Sequence, residues 1–270
     1  MSSPIPAPFV DAVVTAGGVP RPDQPLYVLT QGKSKALLPI AGRPMVQWVL
    51  DALNQAETVR RIVVVGLGPS DTAGLASRKE ISYLPNHGSL IANSEAGVKQ
   101  LLAQDAALRQ ALIVSSDIPT ITGTHVDWIT RTCQETDHEI YYGLVSEADM
   151  EKRFPGSKRS YFKLKEGRFC GSDINMFSTA LVGHYHPAWH TIVDSRKSIL
   201  KQASLIGFDT LLIMALGQMT IPGALRRAKT KLGVSGRVLL LPYAEAGMDV
   251  DKPRQYELVR RDLESQAAPA

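Results

Sequence analysis

Short β-branched runs that alternate with helix-period segments constrain this chain more than any other feature. Val10–Thr15 (VDAVVT) reads as a buried strand running into the Gly17 and Gly18 turn. Residues 44–53 (PMVQWVLDAL) place apolar side chains at helical spacing, with Pro44 at the start, where a missing N–H costs nothing. Residues 61–65 (RIVVV) give a second strand closed by GLGPSD, and residues 92–103 a helix. Residues 111–115 (ALIVS) give a third strand with SSDIPT at its end. Residues 124–135 follow as a helix, with Thr124 its expected N-cap. Such alternation builds a Rossmann-like three-layer α/β/α fold, a mostly parallel sheet with helices on both faces. Ligands bind these sheets outside the carboxyl ends of the strands.

Composition narrows the function classes. With 44% hydrophobic and 21% charged residues over 270 positions, the chain is neither disordered, collagen-like nor a disulfide scaffold. A net charge of +4 with 6% aromatics and no basic–aromatic stripe argues against nucleic-acid binding. Cys133 and Cys170 have neither CxxC nor zinc spacing, and the opening MSSPIPAPF lacks the order of a signal peptide. The expectation is a cytoplasmic protein with reduced thiols. The apolar run over residues 203–225 is broken by Gly207, Gly217 and Pro222 and holds Asp209, so it is a poor membrane span. A buried helix, a homodimer contact and a peripheral membrane contact remain open readings of it.

The densest chemistry lies between residues 11 and 45: DAVVTAGG, a 16-residue spacer, then KALLPIAGRPM. Ala16, Gly17 and Gly18 let a backbone approach a phosphate without Cβ interference, and Lys35 offers a point charge to it. A tight turn and a solvated lysine are the plain alternatives. Asp117 ends the third strand beside Ile118 and Pro119, where a carboxylate can serve Mg²⁺ or cap a turn. Asp249 and Asp251 precede Pro253 and a helical run, where N-capping is equally natural. In residues 83–93 (YLPNHGSLIAN), Gly88, Ser89 and Asn93 suit a base or ribose contact or simply a loop and helix cap. His87 carries no assigned role. Residues 147–170 form a charged, turn-rich insertion whose SYFKLKEGRF stretch alternates as a β-hairpin does, placing Lys163 and Lys165 on one face. Its basic residues, Arg159 among them, and Arg196 further on either meet an anion or are a solvated face.

Together these segments resemble nucleotidyltransferases with the molybdenum-cofactor guanylyltransferase and sugar-1-phosphate nucleotidyltransferase fold (MobA-like NTP transferases). The glycine turn with KALLPIAGRPM, SSDIPTIT over residues 115–122, and GMDVDKPRQYEL over residues 247–258 carry the resemblance across nearly the whole chain. LYVLTQGKSKALLPI is closest to the thymidylyltransferase version. The resemblance implies one domain over residues 1–270. A nucleotide-binding half would span 9–135 and an acceptor-binding half 136–262, with a helical insertion at 195–232. It implies transfer of a nucleoside monophosphate from an NTP to a phosphorylated small-molecule acceptor, with Mg²⁺ on Asp117 and Asp251. Asp249 is then structural, and Asn175 faces the acceptor, whose phosphate Arg159 and Arg196 suit by their bidentate chemistry. One departure stands out: relatives carry G-x-[ST]-x-R after the glycines, whereas here VPRPDQP supplies Arg21 between two prolines, a candidate to polarise the β- and γ-phosphates or else a solvated arginine. A non-catalytic nucleotide-binding protein and a nucleotide-sugar glycosyltransferase are the competing readings.

Overall fold

A computed structural model describes residues 9–183, 213 and 217–267 of the protein. Strand β1 (Val10–Thr15) is buried at every position, as a central strand covered on both faces must be. It pairs in parallel with β2 (Val59–Val65), and β3 (Glu80–Leu84) extends β2 outward, also in parallel. On its other edge β1 pairs in parallel with β4 (Gln110–Ser115). Helices α1 (Met45–Gln55), α2 (Leu90–Gln104) and α3 (Gly123–Gln134) cover these strands. Ala12 and Val14 share one core with Leu50 and Ile129, while Val13 shares the other with Val98 and Leu101. Alternate residues of one strand thus hold two helix layers apart.

Asp11 is a fully buried carboxylate in that central strand. Arg60 meets it through Nε and Nη2 at 3.1 and 3.0 Å, and Arg61 through Nη2 at 2.5 Å. Burial alone would raise its pKa, but the two guanidiniums outweigh that and hold the carboxyl below its ordinary value.

Three helix starts differ from the sequence expectation, and α2 begins at Leu90 rather than residue 92. Pro44 stands just outside α1 as its N-cap. Thr122, not Thr124, caps α3: its backbone is extended, and its hydroxyl accepts from His125 N at 3.5 Å while Thr122 N donates to His125 Nδ1. Apolar periodicity locates a helix but not the residue whose backbone turns out of it.

The second half continues the same sheet through β5 (Ile140–Ser146), followed by α4 (Glu147–Arg153). The expected hairpin is β6 (Phe162–Leu164) with β7 (Gly167–Gly171), and β8 (Ile174–Ser178) follows directly. The hairpin lies in the central sheet, since β7 pairs antiparallel with β5. Lys163 is within β6 but Lys165 falls in the turn, so strand alternation does not place them on one face. Helix α5 (Ile221–Leu232) and β9 (Gly236–Leu240), parallel to β5, lead to α6 (Pro253–Ala267). Among the described residues the order is β3-β2-β1-β4-β8-β5-β7-β6, with β9 on β5. The first four strands are parallel and the rest is mixed. Arg196 lies outside the described residues, as does most of the insertion at 195–232 and of the run at 203–225. Among the described residues no helix is long and apolar enough to cross a membrane.

Candidate active site

Chain order reverses at β1: β2 adds to one edge and β4 to the other, which opens a crevice at their carboxyl ends. The glycine turn leaves β1 at this point, and Ser116 and Asp117 leave β4. The 16-residue spacer returns so that Lys35 N donates to Gly18 O at 2.8 Å, and Ser34 Oγ donates to Ala16 O at 3.3 Å. These bonds fix Lys35, at the head of a 3₁₀ turn over Lys35–Leu37, against the glycines.

The Lys35 ammonium bridges two carboxylates, Asp117 Oδ2 at 2.5 Å and Asp251 Oδ1. Its side chain is only 12% exposed. Burial works against its charge, yet Asp117 and Asp251 outweigh that and hold its pKa well above the usual lysine range. Ser115 Oγ donates to Asp117 Oδ1 at 2.5 Å. The late GMDVD segment docks through Val250 N, which donates to Asp117 O at 3.0 Å. Fully buried Met248 and Val250 anchor it, so Asp249 and Asp251 flank the crevice. Oxygens of Asp117, Asp249 and Asp251 lie within 4.8 Å of one another. Three carboxylates at that spacing are a hard-oxygen donor set of the kind divalent cations take. The sequence reading had set Asp249 aside as structural, and the structure brings it into the cluster.

A fourth carboxylate was missed. The strand from β7 to β8 breaks at Ser172 and Asp173, where Asp173 N donates to Ala246 O and Asp173 O accepts from Ser115 N at 2.8 Å. This break puts Asp173 at the carboxyl end of β4, facing the cluster. Burial pushes its pKa up to about 7, and nearby Asp117 adds to the shift while Arg159 and Lys35 oppose it. Arg159 meets Asp249 through Nη1 and approaches Asp173 Oδ2 through Nη2 at 3.5 Å. Only the strand break, a long-range feature, would have revealed Asp173.

On the other side of the glycine turn, Asn86 and Asn93 form a knot. Asn86 Nδ2 donates to Gly17 O at 3.0 Å, and Asn93 Nδ2 donates to Asn86 Oδ1 at 3.2 Å. His87 N donates to Asn93 Oδ1 and Gly88 N to Asn86 Oδ1, at 2.7 and 2.9 Å. Gly88 takes φ +87°, and Ser89 caps α2 by accepting from Ala92 N. The loop over residues 85–89 is thereby pressed onto the glycine turn. Arg21 lies apart from these contacts, 68% exposed and paired with Asp23 at 3.1 Å. Asn175 spends both ends of its amide on backbone, accepting from Gly143 N and donating to Ser172 O, each at 2.8 Å.

A glycine turn, a bridging lysine and clustered carboxylates at the reversal of a Rossmann-like sheet define a nucleotidyltransferase. The MobA-like NTP transferase domain model matches residues 12–191, and the chain belongs to that family. A hypothetical transferase from Thermus thermophilus is similar to it at 32% identity and TM-score 0.79, covering 92% of this chain and 99% of that one. A CMP:2-keto-3-deoxy-manno-octonic acid synthetase complexed with CTP shares the fold at 16% identity and TM-score 0.60 over 97% of this chain and all of the other. The 4-diphosphocytidyl-2C-methyl-D-erythritol synthase of Anaerococcus prevotii shares it at 10% identity and TM-score 0.58, covering 96% and 97% of the two chains. No curated protein matches the sequence.

Proposed function

We propose that this enzyme transfers a nucleoside monophosphate from an NTP to a phosphorylated small-molecule acceptor and releases pyrophosphate. The convergence of Lys35, Asp117, Asp249 and Asp251 beside the glycine turn carries this reading. An acceptor phosphate oxygen bonds to the α-phosphorus as the bond to the pyrophosphate oxygen breaks. No protein nucleophile is needed, so the protein contributes positioning and charge. Backbone N–H groups of Gly17 and Gly18 hold phosphate oxygens, whereas the Ala16 N–H expected to join them is spent on Val65 O at 2.7 Å, and the loop over residues 85–89 orients the nucleoside. Lys35 turns its ammonium from the carboxylates toward the phosphates. Asp117, Asp249 and Asp251 would hold Mg²⁺, which when bound supplies charge stabilisation to the triphosphate. The acceptor enters from the segment over residues 154–173, where Lys158 offers a cation and Arg159 is engaged by Asp249. Both cysteines are free and buried, and burial pushes the Cys133 thiol up to about 12, so neither supplies a nucleophile.

A panel of NTPs, CTP and GTP first, against sugar phosphates and phospho-alcohols tests the reading by pyrophosphate release. One NTP–acceptor pair should turn over only with divalent cation. Hydrolysis without acceptor, or glycosyl transfer from a nucleotide-sugar, would replace it.

A further inference from the structure

Arg159 and a divalent cation compete for one carboxylate. Arg159 holds Asp249, which also belongs to the three-carboxylate cluster. The guanidinium is well sheltered, its side chain 13% exposed, and its Nε is buried without a hydrogen-bond partner. Its loop is fastened to the segment that carries the cluster. Lys252 Nζ donates to Lys158 O at 2.9 Å, and Arg254 Nε donates to Gly156 O at 2.6 Å. Lys158 is held at φ +53°, a conformation costly for a residue with a Cβ, so the fastening aims Arg159 inward. Beyond Asp249 lies a second oxygen, Asp173 Oδ2, buried and without a hydrogen-bond partner, 3.5 Å from Arg159 Nη2.

We propose that Arg159 is the resident counter-cation of Asp249, as Lys35 is of Asp117 and Asp251, and that Asp173 is its alternative seat: a divalent cation taking Asp249 displaces Arg159 onto Asp173. The inference rests on the metal site proposed above. Two cations on Asp249 repel each other, and the crevice screens that repulsion less than bulk water does. Asp173 lets the guanidinium step aside without leaving the site and keeps a carboxylate partner for it. Asp173 is therefore a positioning residue, acting through Arg159.

Mn²⁺ titration of the nucleotide-free full chain, with free ion read by electron paramagnetic resonance, tests this. Arg159→Gln should tighten Mn²⁺ about fivefold or more, the lower end of ordinary coupling between ligands. Arg159→Lys should keep wild-type affinity to within about twofold, and Arg159→Met substitutes if the Gln variant unfolds. Asp173→Asn should weaken Mn²⁺ binding in the wild-type background. Its penalty, as a logarithm of Kd, should fall to less than about half in the Arg159→Gln background. An unchanged or weaker Kd in Arg159→Gln overturns the proposal. So does an equal Asp173→Asn penalty in both backgrounds, which would make Asp173 a direct ligand or a simple bystander charge. The metal site itself fails separately, if Asp117→Asn binds Mn²⁺ as wild type does. Absence of binding in both wild type and Arg159→Gln overturns both.

Discussion

Adding one methyl group at Gly17 should cost far more stability than adding it one residue later. A Cβ at Gly17 would stand 2.5 Å from Asn93 Nδ2 and 2.7 Å from Asn86 Oδ1, well inside contact distance. Those two asparagines join the loop over residues 86–88 to the turn through the Gly17, Asn86, His87 and Gly88 hydrogen bonds described above. Retreat is blocked on the opposite side, where Gly66 packs against the Gly17 backbone at φ +117°. Displacing the asparagines would break two or three bonds, each worth about 1 kcal/mol net, so Gly17→Ala should lose about 2–3 kcal/mol. For a domain this size that lowers Tm by roughly 4–6 °C. Gly18 has nothing within 4 Å of its would-be Cβ and a backbone outside the left-handed region. Gly18→Ala should therefore melt within about 2 °C of wild type. It should still raise the KM for NTP, because its methyl projects where a phosphate approaches. Paired thermal melts and NTP saturation curves read both effects. A Gly17→Ala protein that melts with wild type would show that the asparagine knot does not hold this turn, and an unchanged NTP KM in Gly18→Ala would remove the glycines from the phosphate site.

Lys35→Ala should lower kcat/KM by more than about tenfold, at least about 1.4 kcal/mol. It leaves Asp117 and Asp251 facing each other unbridged, so Tm should fall in chelator and recover with millimolar Mg²⁺; an unchanged kcat/KM would make the lysine a bystander. The Asp11 carboxyl is held below its ordinary value of 3.8, so the unfolded chain takes up its proton first as pH drops. Its contribution is complete above the unfolded pKa and is lost as pH falls through the lower folded one. A Tm–pH profile between about pH 2 and 5 should lose steepness in Asp11→Asn, which should also be destabilised by about 1–3 kcal/mol because Arg60 and Arg61 then keep only Asp105; parallel profiles would refute the pairing.

Local chemistry determined much of this protein in advance. VDAVVT is apolar on both faces except at Asp11, so it had to be a central strand. KALLPI follows a turn built of glycines, and SSDIP ends a strand. All of these are short-range properties of neighbouring residues, and they sufficed for the layered fold and for Lys35 and Asp117 as candidates, whereas only the family resemblance chose Asp251 over Asp249. Strand β3 (EISYL) was not legible, because as an edge strand it mixes exposed and half-buried positions without a clean period. Strands β5, β8 and β9 draw their partners from distant segments, and the period of a single segment does not reveal them. The tertiary structure alone decided that Asp249 and Asp173 join Asp117, because a docked loop and a broken strand bring them across 132 and 56 positions of chain. It also decided which charges are paired: Arg159 and Arg21 read alike as basic loop residues, yet one sits among buried carboxylates and the other at the surface with Asp23. Sequence records the charges a chain carries, whereas an ion pair depends on distance and dielectric, which exist only once the chain has folded.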